Sequence, residues 1–367
     1  MILTKKVRLI LTDEETKLYQ SAGVARWAYN FTIKMQATSY RFGGKFISDN
    51  DLRKHITKIK KHKKYAWLNE VSNNVVKQAV KDACLAYKKF FEGLAQYPRF
   101  KTRRRTIPSF YNDNVKLKVK DNLVLLEKIG WVRTSEKLPT DCKYYNPRVK
   151  FDGKYWYLSV GIDVENKKPV LENRNLGIDL GIKELAVTSD GIFYKNINKT
   201  GTVRKEEKRL KRLQRRASKK YKKGKPKSNN LLELEKSIRK QHRRLTNIRN
   251  NHIQQVTSEI VKSKPSRIIM EDLNIKGMMK NRHLAKALAD QKFYYFKHCI
   301  KYKCELNGIE YVEADRWFPS SKTCNACGTI NKGLKLSDRV YDCECGYSVN
   351  RDLNASYNLR DYQLSKG

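Results

Sequence analysis

No apolar run in this chain approaches the roughly 18 residues of a membrane-spanning helix. The opening MILTKKVRLILT also lacks the long apolar core of a secretory signal peptide, so a soluble, cytoplasmic protein is expected. Acidic residues are scarce: 37 Asp and Glu stand against 79 Lys and Arg, a formal charge of +42 over 367 residues. An excess of that size repels itself unless a polyanion neutralises it, which makes nucleic acid the expected partner. Absent as well are a P-loop, an HExxH helix and a G-x-S-x-G elbow, which leaves several common catalytic plans without support. The histidines, His55, His62, His242, His252, His283 and His298, form no ligand pair on an apolar strand and are expected mostly on the surface of basic helices. No repeat of fixed period occurs.

Cysteine is present, and its distribution is uneven. Of eight cysteines, Cys84, Cys142, Cys299 and Cys304 are scattered and are expected to be buried thiols. The other four form Cys324-Asn-Ala-Cys327-Gly and Cys343-Glu-Cys345-Gly, two pairs fifteen residues apart. That spacing fits a structural zinc site in a reducing compartment, four thiolates closing a tetrahedron with no open position for catalysis. The second pair is C-x-C instead of the commoner C-x-x-C, a tighter knuckle, and Gly328 and Gly346 let the backbone turn beside the sulfurs.

Along the chain, ILTKKVRLIL alternates like a half-buried strand, and Thr12 with Glu15 makes a capping-box pattern that predicts a helix running through Trp27 and Phe31. Helical character persists to about Gly93, with Val76, Val80, Ala83, Tyr87 and Phe90 along one buried stripe. From Tyr97 short alternating runs take over, with Asp152-Gly153 as a two-residue hairpin turn. Residues 1–11 and 95–172 therefore read as a β-barrel-like domain, with the helical segment 12–94 inserted into it. At its edge PRFKTRRRTIPSFY interleaves Arg99, Lys101, Arg103, Arg104 and Arg105 with Phe100, Phe110 and Tyr111, a pattern suited to phosphate contact and base stacking.

A β-meander starts at Asn175, turning at Ser189-Asp190-Gly191. Residues 204–262 read as a helical hairpin, and no segment of the chain is more basic than its first arm. There Lys208, Arg209, Arg212, Arg215 and Arg216 are candidate nucleic-acid contacts, with Glu206 and Glu207 as counter-charges. SRIIMEDL then reads as a buried strand, 284–307 as a helix and GIEYVEAD as another strand, which together predict an α/β domain with a mixed sheet.

Three carboxylates stand out against this pattern. Asp179 interrupts the apolar strand LGIDLGI, Glu271 ends the strand RIIM, and Asp352 lies in NRDLNASYNL, where it could cap or open the final helix. A carboxylate in a buried strand costs several kcal/mol unless a cation accompanies it. Converging at one sheet edge, the three could hold two hard divalent cations about 3.5–4 Å apart and cut a phosphodiester.

GIDLGIKELAV, IIMEDLNIKGM, RWFPSSKTCNACG, the C-x-C-G pair and NRDLNASYNL, in this order, resemble the TnpB proteins of bacterial insertion sequences; YPRFKTRRR and the second arm of the hairpin are similar too. The resemblance spans nearly the whole chain, with residues 12–94 matched only in general character. It implies an RNA-guided DNA endonuclease, related to the type V CRISPR effectors, that works on double-stranded target DNA beside a short motif, at the nucleoid and as a monomer. Its fold would be multidomain, α/β and β, with an RNase H-like (RuvC-type) nuclease domain over 173–315 and 349–367, a zinc ribbon over 316–348, and wedge and recognition modules upstream. Asp179, Glu271 and Asp352 match the family's catalytic carboxylates, to be served by two Mg²⁺ or Mn²⁺ ions, and Cys324, Cys327, Cys343 and Cys345 match its zinc ligands. Base pairing with a guide RNA, encoded beside the gene, would read the target. The alternatives are a nuclease-silent RNA-guided repressor, a DNA transposase using the same acids, and a zinc-ribbon RNA-binding protein.

Overall fold

β1 (Ile2–Ile10) turns Val7 and Leu9 inward and leaves their neighbours at the surface, as a strand with one dry face must. The computed structural model describes residues 1–103, 106–167, 169–335 and 338–363, so Arg104 and Arg105 lie outside the described residues. After β1 come α1 (Glu15–Arg41), α2 (Asp49–Ile59), a short 3₁₀ segment (Lys63–Asn69) and α3 (Asn73–Phe91). The start of α1 differs from the capping box: Glu14, not Glu15, reaches back, and its carboxylate accepts from both the Thr12 amide (2.8 Å) and hydroxyl (3.1 Å). The α3 stripe buries Val76, Val80, Ala83 and Tyr87, while Phe90 is half-buried.

Seven strands make the first sheet: β1, β2 (Ser109–Tyr111), β3 (Lys118–Lys120), β4 (Leu123–Leu126), β5 (Gly130–Thr134), β6 (Tyr144–Phe151) and β7 (Trp156–Asp163), in the order β2-β6-β7-β1-β5-β4-β3. Among the described residues no pairing joins β2 to β3. The β6–β7 turn lies one residue beyond Asp152-Gly153, because Phe151 pairs with Trp156 and the Asp152 amide donates to the Tyr155 carbonyl, closing the loop on Gly153 and Lys154. Trp156, Leu158 and Val160 of β7 join Val7 and Leu9 and the inward residues of α1 and α3 in one apolar core.

The chain divides after Val164 into two compact units, upstream of the boundary at 172 read from the sequence. The second unit holds β8 (Glu172–Leu180), β9 (Glu184–Thr188), β10 (Phe193–Lys195), α4 (Gly201–Lys220), α5 (Asn229–Lys262), β11 (Pro265–Glu271), α6 (Ile275–Met278), α7 (Arg282–Gln291), α8 (Phe293–Asn307), β12 (Glu310–Ala314), β13 (Val340–Asp342), β14 (Ser348–Asn350) and α9 (Arg351–Arg360). Its five-stranded sheet runs β10-β9-β8-β11-β12, with the first three strands antiparallel and β8, β11 and β12 parallel, so the sheet is mixed. Leu176, Ile178, Ile268 and Met270 face α5 and α8. The alternate residues, among them Ile269 and Val312, face α9 and its Leu359.

The single helix expected over 284–307 is two. Lys292 takes the left-handed conformation (φ 54°, ψ 44°) and ends α7 before α8 begins, while the buried Gln291 amide donates to the Gly181 and Ile182 carbonyls and pins the break. Among the described residues no helix is long and apolar enough to cross a membrane.

Candidate active site

β8 and β11 run in parallel with Ile178 opposite Met270, and one residue farther along each stand Asp179 and Glu271. Strand alternation puts Gly177, Asp179, Ile269 and Glu271 on the α9 face. Gly177 is where α9 touches: a Cβ there would lie 2.0 Å from the Ser356 carbonyl oxygen and 2.4 Å from the Arg360 nitrogen. Two residues along a strand advance about 6.6 Å, and four residues back along a helix retreat about 6 Å. Those two steps lead from Gly177 to Asp179 and from Ser356 to Asp352, so strand and helix deliver the two carboxylates to the same end of the sheet.

Asp352 does not cap the helix that carries it. The Asn350 side chain caps α9, accepting from the Asp352 amide (3.0 Å) and the Leu353 amide (3.2 Å), which leaves the Asp352 carboxylate for other work. The Arg351 guanidinium stands 3.3 Å from it.

Asp179 keeps a little solvent contact but is crowded by protein. That burial, then the charges of Asp352 and Glu271, outweigh Arg351 and push its carboxyl from the usual 3.8 up to about 8. Burial and the neighbouring Asp272 also raise Glu271. Asp272 goes the other way: hydrogen bonds from Arg316 and Lys297 hold it below the ordinary carboxylate range. Arg316 Nε lies 3.1 Å from Asp272, and Lys297 bridges Asp272 (3.1 Å) and Glu313 (2.6 Å). Two acids adjacent in sequence are thus set apart, one neutralised by cations and the other left with the carboxylate group.

A stability prediction follows from Asp179. The unfolded chain loses this proton near pH 4 and the folded chain near pH 8, so the folded state binds more protons in that window. Metal-free stability contributed by this group therefore falls as pH rises through the window. Asp179→Asn, which cannot ionise, should melt above the wild type in EDTA at pH 9 and lose that advantage toward pH 4. A wild type and variant whose melting difference is the same at both ends would show that Asp179 carries no such strain.

The four cysteines meet as expected from their spacing. Among the described residues, Cys324, Cys327, Cys343 and Cys345 are the one set of three or more Cys, His, Asp or Glu whose ligand atoms all lie within 4.8 Å of one another. Across the two knuckles Cys324 Sγ is 3.8 Å from Cys345 Sγ, and Cys327 Sγ is 3.6 Å from Cys343 Sγ. Bonds of about 2.3 Å to a central zinc would set tetrahedral sulfur–sulfur edges of about 3.8 Å, so these separations fit an ion. Gly328 (φ 77°) and Gly346 (φ 86°) both take the positive φ that the knuckles need. Of the other cysteines, Cys84, Cys299 and Cys304 are buried, and Cys142 is half-exposed.

This knuckle is fastened to the helix that carries Asp352. Asn354 donates to the Thr323 carbonyl (2.7 Å) and accepts from the Asn325 amide (3.2 Å), while Asn358 donates to the Ser320 and Thr323 carbonyls (2.7 Å each). Both asparagines are buried, a connection the sequence reading missed. The only signal for it is two polar residues four apart on a helix that must bury that face.

The basic candidates fare unevenly. Lys208, Arg209, Arg212, Arg215 and Arg216 are all exposed on α4. Glu206 and Glu207 do not neutralise them. Glu206 is buried against Gln241 and pairs with Arg244, and Glu207 pairs with Arg249 and Lys286, so both acids hold α4 to its neighbours and leave the basic face unscreened. In the other stretch Arg99 and Arg103 are exposed, but Lys101 folds over the Tyr29 ring at 3.6 Å. Phe110 is buried in the core beside Trp156, which removes it from base stacking.

Three family models match the chain: a "Helix-turn-helix domain" over residues 1–45, a "Probable transposase" over 158–282 and a "Cas12f1-like, TNB domain" over 293–359. The first label does not describe the structure, since its residues form strand β1 and the single helix α1. A putative RNA-guided DNA endonuclease of Streptomyces pristinaespiralis is 28% identical over 359 residues, 96% of this chain and 87% of that relative. The putative RNA-guided DNA endonuclease InsQ of Escherichia coli K12 is 28% identical over 364 residues, 95% of this chain and 88% of that relative. Among solved structures, the Cas12f1 chain of a Cas12f1–sgRNA–target DNA complex superposes with a TM-score of 0.61 at 15% identity, covering 96% of this chain and 83% of that one, a likeness of fold.

Proposed function

Because the chain belongs to the TnpB family, we propose that it is an RNA-guided DNA endonuclease of a transposable element, cutting double-stranded target DNA beside a short motif. The observation that carries this reading is the gathering of Asp179, Glu271 and Asp352 at one end of the sheet, so close that the latter two raise the pKa of the first. An all-oxygen donor set with more negative than positive charge around it fits hard divalent cations. We assign these three residues to two such ions, Mg²⁺ or Mn²⁺, which when bound would supply an activated water and stabilise the leaving oxygen. The chain's own part is to fix the carboxylates on two strands and a clamped helix, to hold the proton of Asp179 until a cation replaces it, and to keep Asp272 occupied with Arg316 and Lys297. Mixed five-stranded order supports an RNase H-like, RuvC-type domain over 173–315 and 349–367, with a zinc ribbon over 316–348. Residues 1–11 and 95–172 would form the wedge and 12–94 the recognition insertion. The unscreened face of α4 suits the guide RNA or its duplex with target, where pairing reads the sequence and the protein reads backbone.

The test is plasmid cleavage by the full chain with RNA transcribed from DNA flanking the gene. Cutting is expected only when both that RNA and a divalent cation are present, and EDTA or omission of the RNA should each stop it. Guided binding without cutting would move the protein to the repressors, and guide-independent joining of transposon ends to the transposases.

Zinc gives a separate expectation. Purified protein should carry about one equivalent of tightly held zinc. Cys324→Ser should lose it and, through Asn354 and Asn358, lower cleavage as well. Metal analysis finding no zinc in the wild type would overturn the assignment.

A further inference from the structure

Trp317 is 84% exposed, an unusual placement for the side chain that gains most from leaving water. Its neighbours are anchored. Arg316 grips Asp272 through Nε and Nη2, and Phe318 packs edge-on against Tyr362 with ring centroids 4.9 Å apart. The Trp317 amide itself donates to Asp315 Oδ1 at 2.7 Å, the Phe318 amide donates to the Asp315 carbonyl, and the Asp315 amide donates to the Tyr362 hydroxyl at 3.2 Å. A loop fixed at 315, 316 and 318 therefore holds one indole out into solvent, with its backbone order already in place.

The position of this indole gives it meaning. β12 pairs with β11 so that its last residue, Ala314, lies opposite Glu271. The loop leaves the sheet at the end where the carboxylates gather, and Arg316 ties it to the residue after Glu271. A rigid, solvent-facing aromatic ring at that edge, flanked by a guanidinium, has the chemistry that stacks on an unpaired base. We propose that Trp317 is a positioning residue: it stacks on a base of the single strand entering the active site, a few nucleotides from the bond to be cut, and so sets which phosphate meets the carboxylates. This rests on the nuclease reading above.

The experiment uses the full chain loaded with guide RNA and a target strand carrying 2-aminopurine, moved one position at a time through the cut region. At one position the wild type should quench the probe, and Trp317→Ala should not, whether or not the strand is cut. In cleavage, Trp317→Ala should raise KM for the strand by roughly ten- to a hundredfold, the worth of one base stack, with kcat and guided duplex binding little changed. Trp317→Phe should recover most of the loss. An abasic site at the quenched position should cost the wild type a similar factor and add nothing to Trp317→Ala. Equal quenching by wild type and Trp317→Ala at every position, or losses from Trp317→Ala and the abasic site that multiply, would overturn the proposal. Because quenching needs no cleavage, a protein that never cuts would sink the nuclease reading while still deciding whether Trp317 stacks.

Discussion

Asp179→Ala, Glu271→Ala and Asp352→Ala should each bind guided target at near wild-type affinity and leave it uncut. Binding draws on many phosphate contacts and on guide pairing, none of which needs these carboxylates. Cleavage draws on two cations held together, and the loss of any one ligand group leaves the others unable to position both against the phosphate. The fall in rate should be on the order of 10⁴-fold or more, and double variants should be hardly worse than single ones, because groups that act as a unit do not add. Asp272→Ala should be milder. Its carboxylate is engaged by Arg316 and Lys297, so its removal loosens the loop after β12 and leaves the carboxylate group intact. Gel-shift affinities beside single-turnover cleavage rates separate the two effects, and robust cutting by Asp179→Ala would refute the assigned active site.

Gly177→Ala should damage both stability and cleavage, although Gly177 carries no chemistry. A methyl group there would stand 2.0 Å from the Ser356 carbonyl and 2.4 Å from the Arg360 nitrogen, both backbone atoms that cannot rotate away. Helix α9 must then lift from β8 by about 1.5 Å, the shortfall from an ordinary contact of about 3.5 Å. Overpacking of this kind costs about 3 kcal/mol, readable as a lower denaturant midpoint. Because Asp352 rides on the same helix, a displacement of that size should also cost about 10²-fold in cleavage, and Gly177→Val should be worse in both respects. A Gly177→Ala protein with wild-type stability and rate would show that α9 does not sit as tightly as described.

Much of this site could be read from residues that violate their surroundings. Asp179 and Glu271 are charges in apolar strands, and four thiols with two glycines at short spacing have few other uses, so each declared itself through local chemistry. What escaped was decided by contacts between segments far apart in the chain. Gly177 is one glycine in a strand, and only the helix laid across it gives a reason for the missing side chain. Phe110 sits in a basic, aromatic stretch that reads as a nucleic-acid surface, yet alternation along β2 turns it into the core. Glu206 looks like a counter-charge in a basic helix until the partner helix supplies Gln241 and Arg244. The break at Lys292 had no glycine or proline to announce it, because the constraint comes from Gln291 reaching back to the β8–β9 turn.

The order of the three acids along the chain has a consequence for biosynthesis. Two of them share neighbouring strands, but the third arrives on α9, after the knuckle loop whose carbonyls Asn354 and Asn358 grip. Domains fold as their segments leave the ribosome, N-terminal parts first. If α4 binds RNA as proposed, a nascent chain that has finished β12 but not α9 would display its basic helix and engage RNA while lacking the third carboxylate. On the proposed assignment of Asp352, a message truncated between β12 and α9, or a ribosome stalled there, would thus yield a protein able to occupy nucleic acid and unable to break it, a competitor of the finished enzyme.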